Sequence, residues 1–196
     1  MFMQPATAFH RAQPVVLAPR SRDGRRTMPA AFAVNARVEC ETGWLAAGAL
    51  EPGMAIQTRD GGLRRLEGIE RHLRWPVAGA CMVRVPGGAL GNCAELSLLP
   101  TTRIVLPLRA AEAVLGAAEV LVAAGALDGW RGIRCEPVAA VEEAVSLRFA
   151  QDEVIWLNTG VQVFCGRGSG YWTEVEAEEA RGLLAREDRA DRARAA

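Results

Sequence analysis

Short apolar runs separated by turn-forming residues fill the chain from residue 31 to residue 166, at intervals of about 8 to 15 residues. That spacing predicts an all-β domain. Apolar and polar positions alternate in Val83-Arg84-Val85 and in Ser146-Leu147-Arg148-Phe149, as in strands with one buried face. β-branched content and turn punctuation predict strands over residues 37–40, 55–58, 66–71, 82–85, 103–106, 120–123, 145–149 and 154–157. One segment departs from the pattern: residues 110–118 are rich in Ala, Leu and Glu, which predicts a helix of one or two turns.

The texture changes at both ends. Residues 1–30 contain Pro5, Pro14, Pro19 and Pro29 and the run Arg20-Ser21-Arg22-Asp23-Gly24-Arg25-Arg26. They are expected to form a flexible arm, and Met28 offers an alternative start. Residues 167–196 are expected to be a linker followed by a charged helix. Thr173 and Glu176 have the spacing of a capping box, and Glu-rich residues precede Arg-rich ones, matching the helix dipole. These features predict a helix from about residue 173 to residue 187, fraying beyond, with its charged face solvated.

Residues 36–62 are the most informative stretch. A strand at residues 37–40 is followed by the turn Glu41-Thr42-Gly43, then by Pro52-Gly53, a strand at residues 55–58 and the turn Asp60-Gly61-Gly62. Pro presets the first dihedral of a tight reversal and Gly accepts the positive φ that follows. Asp-Gly-Gly after an alternating run is a hairpin signal.

Charge narrows the function classes. The 23 basic residues balance the 23 acidic ones, so no global field favours nucleic acid or an anionic membrane. Every basic side chain apart from the two histidines is Arg, and these are scattered. The five cysteines (Cys40, Cys81, Cys93, Cys135, Cys165) show no CxxC spacing. With only His10 and His72 to join them, no metal site and no cofactor are expected. Most of the cysteines are expected to behave as small buried apolar groups in a reducing compartment. No apolar run is long enough for a membrane span, and no secretory signal is visible, so the expected location is cytoplasmic, with signal-less export left open.

Few residues carry candidate chemistry on their own. Cys40 has no His in a matching motif to activate it, and His72 is read as an ordinary exposed strand residue beside Arg71 and Arg74. Asp152 and Glu153 are adjacent, and adjacent strand residues point to opposite faces. Asn158-Thr159-Gly160 reads as a turn in which Asn takes positive φ. Gly166-Arg167-Gly168-Ser169-Gly170 lacks the Lys-Ser/Thr ending of a phosphate loop and reads as linker. Trp44, Trp75, Trp130 and Trp156 are read as core or rim.

The order of these features resembles a Hint (Hedgehog/intein) domain of the short bacterial type. The first strand, the Gly43-Trp44 pair, Leu50-Glu51-Pro52-Gly53 and Thr58-Arg59-Asp60-Gly61 match its opening. Residues 66–71, 83–91, 98–106, 119–124 and 149–155 match its later blocks in order, so the resemblance covers roughly residues 30–166. It implies a curled sheet shaped as a flattened horseshoe, here with a short C-terminal helix. It also implies an autoproteolytic ancestry, in which a Cys attacks the preceding carbonyl and a His protonates the departing nitrogen. At those places this chain has Ala31, just before Phe32, and Thr102. Asp152 replaces a later His, and Met54 replaces the Asp usual after Pro-Gly. Ala31, Thr102 and Asp152 are therefore read as vestigial positions with no catalytic residue expected. The expected role is a non-catalytic scaffold or interaction domain with a protein partner. The alternative is self-processing through non-standard residues such as Cys40, Thr102 or Asp152.

Overall fold

The computed structural model describes residues 30–195. Except for Ala30, which is buried, the expected arm lies outside the described residues.

Among the described residues, fifteen strands form two sheets. A six-stranded sheet contains β1 (Phe32–Ala33), β6 (Gly68–Arg74), β7 (Cys81–Val85), β8 (Leu96–Leu98), β11 (Arg134–Pro137) and β12 (Glu142–Arg148). Its order is β11-β7-β8-β1-β12-β6. The nine-stranded sheet contains β2 (Arg37–Cys40), β3 (Gly43–Ala46), β4 (Ala55–Thr58), β5 (Gly62–Arg65), β9 (Arg103–Pro107), β10 (Glu119–Ala123), β13 (Glu153–Leu157), β14 (Val161–Cys165) and β15 (Thr173–Val175). It runs β15-β10-β9-β14-β13-β2-β4-β5, with β3 paired to β2. The helices are α1 (Arg109–Leu115) and α2 (Ala177–Ala195). All eight predicted strands and the short helix are present, so the all-β expectation holds. The Pro52-Gly53 reversal is also present: Gly53 has φ +94° and the Met54 N–H donates to the Glu51 carbonyl at 3.2 Å.

Strand alternation builds the core. Phe32, Val83, Val85, Val145 and Leu147 from the smaller sheet meet Val38, Ile56, Ile104, Val120, Ile155 and Val163 from the larger in one cluster. The central strands of the nine-stranded sheet are covered on both faces. Val105, Leu121, Val154 and Phe164 point away from the main core and pack with Trp172, which lies on the segment after β14. Burial on both sides explains the apolar runs Ile104-Val105-Leu106 in β9 and Val163-Phe164-Cys165 in β14.

The C-terminal segment corrects three expectations. Thr173 does not cap a helix: it begins β15, which pairs in parallel with β10 (Thr173 with Val120, Val175 with Val122). The helix starts at Ala177 and continues to Ala195 instead of fraying after residue 187. Its polar face is also a docking surface. Ala180, Leu183 and Leu184 are buried, and beside them the buried Glu187 accepts a hydrogen bond from the Ala110 N–H at the start of α1 (2.9 Å). Asp188 accepts from the Trp130 indole N–H at 2.7 Å, and Asp191 pairs with Arg131 at 3.0 Å. Acidic side chains thus satisfy free donors of the domain, a role that a count of apolar positions along α2 does not reveal.

Glu187→Ala removes the acceptor at the α1 N-terminus and is expected to lower stability by about 1–2 kcal/mol in urea denaturation. An unchanged midpoint would mean that α2 contributes through its leucines alone.

Candidate functional site

The turn between β8 and β9 brings Thr102 against Ala31. The Leu99 N–H donates to the Ala31 carbonyl at 2.9 Å, and the Thr102 N–H closes the turn on the Leu99 carbonyl at 2.9 Å. The Thr102 hydroxyl then engages both backbone groups of Ala31. It donates to the carbonyl at 2.6 Å and accepts from the N–H at 3.2 Å. Both residues are sealed from solvent (Ala31 1 % exposed, Thr102 0 %). The Ala31 methyl sits in a small apolar cluster with Ala80, Met82, Leu99, Val138 and Ala144.

This geometry has a chemical meaning. In an acyl shift at residue 31, the Ala31 nitrogen would leave, and the proton donor must lie within hydrogen-bond reach of it. The Thr102 oxygen is within that reach. Its proton, however, is committed to the Ala31 carbonyl, and an aliphatic hydroxyl does not titrate near neutrality. No nucleophile projects from Ala31. Cys40 and Asp152 make no hydrogen bond to Ala31 or Thr102. Asp152 accepts a hydrogen bond from the Arg167 N–H at 3.1 Å. Asp152 precedes β13, and it and Glu153 are among the residues that line one cleft with Arg64, Tyr171 and Trp172. Cys40 is buried, and burial raises its thiol pKa above the ordinary value. His72 is half-buried rather than exposed, and its Nε2 lies 2.8 Å from the Ser146 hydroxyl.

Asn158 is a clamp. Its φ is +45°, its side-chain oxygen accepts from the Arg37 N–H at 2.7 Å, and its amide donates to the carbonyls of Ala94 (3.1 Å) and Glu95 (3.2 Å). With its amide nitrogen so engaged, the side chain is held away from cyclisation. Gly160 completes the clamp, because a Cβ there would meet the Gly91 carbonyl carbon at 2.1 Å.

Sequence reasoning missed Arg103. It is 3 % exposed, lies over the Phe164 ring at 4.7 Å and donates to the carbonyls of Gly166 and Gly168. Desolvation lowers its pKa from the usual guanidinium value, against the raising effects of Glu174 and Asp152. The segment read as a linker is therefore fastened to the domain by a buried cation. The sequence signal was a lone Arg between Thr102 and the apolar run Ile104-Val105-Leu106, on the strand face opposite Ile104. The cysteines also differ from expectation: Cys40 and Cys165 are buried, Cys81 and Cys135 are partly exposed, and Cys93 is exposed.

A family model for the Hint domain matches residues 30–162. The chain belongs to the Hint domain family. No curated protein matches the sequence. Among solved structures, the AceL NrdHF class 3 split intein, in a GSH-linked splice-inactive variant, is 10 % identical with a TM-score of 0.46. The alignment covers 70 % of this chain and 98 % of that one. The gp41-1 intein (9 % identity, TM-score 0.43) is covered to 98 % by 69 % of this chain. For the MchDnaB-1 intein the figures are 13 % and 0.40, with 67 % of this chain covering 98 % of it. The Hint assignment agrees with the order of turns and strands from residue 37 onward.

Thr102→Val leaves the Ala31 N–H buried without an acceptor, and a loss of about 1–3 kcal/mol in urea denaturation is expected. Thr102→Ser keeps the hydroxyl and should lose less than half of that. Equal losses for the two variants would show that the methyl packing, not the hydroxyl, holds Ala31.

Proposed function

We propose that this chain is a Hint-fold scaffold that has lost autoproteolysis and retains the fold for binding a protein partner. The observation that carries this reading is the pairing of Ala31 with Thr102. Thr102 lies within hydrogen-bond reach of the Ala31 nitrogen, while neither side chain supplies a nucleophile or a titratable proton. The apolar cluster around the Ala31 methyl keeps that side chain away from bulk solvent. The balanced charge favours a protein partner over nucleic acid or a lipid surface. Among the described residues, no helix is long and apolar enough to cross a membrane.

A second reading keeps self-processing, and one contact favours it. His72 and Ser146 form a hydroxyl–imidazole pair at 2.8 Å on adjacent strands. Ser146 follows Val145, the partner of Phe32 in the β1–β12 register. A hydroxyl activated by an imidazole would be a nucleophile close to the Ala31 peptide.

Intact-mass spectrometry separates the two readings. The full-length chain is expected to keep its mass after prolonged incubation with thiol or hydroxylamine at neutral pH. Cleavage before residue 31 that disappears in Ser146→Ala would establish the second reading and overturn the first. The double change Ala31→Cys with Thr102→His reintroduces a thiol and a group that titrates near neutrality. Slow thiol-induced cleavage before residue 31 is expected from it, slow because the surrounding shell has also changed.

A further inference from the structure

Three of the five cysteines reach the surface, and two of these face each other. In the register of β7 with β11, Cys135 lies opposite Val83 and Cys81 lies opposite Pro137. Cys81 and Cys135 are therefore diagonal neighbours on one face of an antiparallel pair, within mutual reach of their side chains. That face is the inner one: Val83 and Val85 on β7 belong to the main core, and Cys135 packs against it. Both thiols are free and partly exposed. Burial first, and then the neighbouring Cys81 thiol, push the Cys135 thiol up to about 12, so Cys135 stays protonated while facing its neighbour.

The strands around the pair allow closure. A disulfide needs a Cα separation shorter than most diagonal pairs provide, so one strand must shift. Among the described residues, β11 is the outermost strand of its sheet and pairs with β7 alone, so no second ladder of hydrogen bonds opposes a small shift. The Asp128 carboxylate accepts from the Cys135 N–H at 2.8 Å and anchors the incoming end of the strand.

We propose that Cys81 and Cys135 form a redox-responsive dithiol whose oxidation pins the edge strand β11 to β7. The oxidant is a low-molecular-weight disulfide such as oxidised glutathione. The Cys81 thiolate attacks one sulfur of the glutathione disulfide, the S–S bond breaks, and one glutathione leaves as thiolate and takes up a proton. The Cys135 thiol then loses its proton and attacks the Cys81 sulfur of the mixed disulfide. The intramolecular bond forms and the second glutathione departs. The protein has lost two electrons and two protons, and one glutathione disulfide has become two thiols. The consequence reaches the Ala31 cluster. The opposite face of β7 supplies Met82 to it, with Ala80 just before β7 and Val138 just after β11. The Val138 N–H donates to the Ala80 carbonyl at 3.1 Å, so fixing β11 on β7 fixes that wall.

The test is a non-reducing peptide map of the full-length chain after incubation with oxidised glutathione. The expected product is a peptide pair joined through Cys81 and Cys135, two hydrogens lighter than the reduced pair and restored by dithiothreitol. Cys93→Ser should retain the link, whereas Cys81→Ser and Cys135→Ser should each abolish it with unchanged far-UV circular dichroism. Closing a loop of this length is expected to raise the unfolding midpoint by several degrees, roughly 3 °C or more, over the reduced protein. Glutathione confined to Cys93, or a disulfide joining any other pair, would overturn the proposal.

Discussion

The Thr102 hydroxyl ties the two sheets together at the point where the domain begins. Ala31 leads into β1 of the smaller sheet, and Thr102 leads into β9 of the larger. A single side chain satisfies the N–H and part of the carbonyl of Ala31, both of which are far from solvent. Buried backbone groups need partners, and the residue at this turn must provide one of each kind. A hydroxyl does so. That structural duty is a reason for a polar residue at this position, whatever its chemistry.

The same economy recurs around the fold. Asn158 satisfies donors and acceptors from β2 and from residues 94–95, Arg103 caps the carbonyls of the segment after β14, and Glu187 caps α1. Each is buried and polar, and each fastens an irregular segment to the sheets. Removing such a group costs more than its bond, because the partner is left desolvated. These side chains, rather than surface ion pairs such as Arg71–Glu143, hold the loops in register.

Much of the domain was legible because its turns depend on local chemistry. Pro52-Gly53 and Asn158-Thr159-Gly160 need backbone conformations that few residues accept, and they lie where those residues stand. Strands in which apolar and polar residues alternate, such as β7 at Val83-Arg84-Val85 and β12 at Ser146-Leu147-Arg148, showed their period in the sequence. The C-terminal segment was not legible for a physical reason. Thr173-Glu174-Val175 fits a helix start and an edge strand equally well, and the free edge of β10, far away in sequence, decides between them. The docking of α2 was hidden because its contacts include Glu187, Asp188 and Asp191, which a hydrophobic pattern counts as solvent-facing. The meeting of Ala31 and Thr102 is what the resemblance to Hint domains implied. Arg103, the Asp152–Glu153 cleft and the His72–Ser146 pair depend on packing between distant strands, which no local spacing encodes.

The place of β1 has a consequence for how the chain is made. This two-residue strand lies between β8 and β12, pairing Phe32 with both Leu98 and Val145. The earliest strand of the domain is therefore an interior strand of its sheet. On the ribosome, Phe32 emerges long before either neighbour, and its pairing on both sides has to wait until Val145 has been synthesised. Closing contacts of such sequence separation carries a large entropic barrier, and the waiting apolar segment is exposed meanwhile. The domain cannot grow outward from its start; it has to assemble around it, and the chain's first committed residues are among the last to be locked.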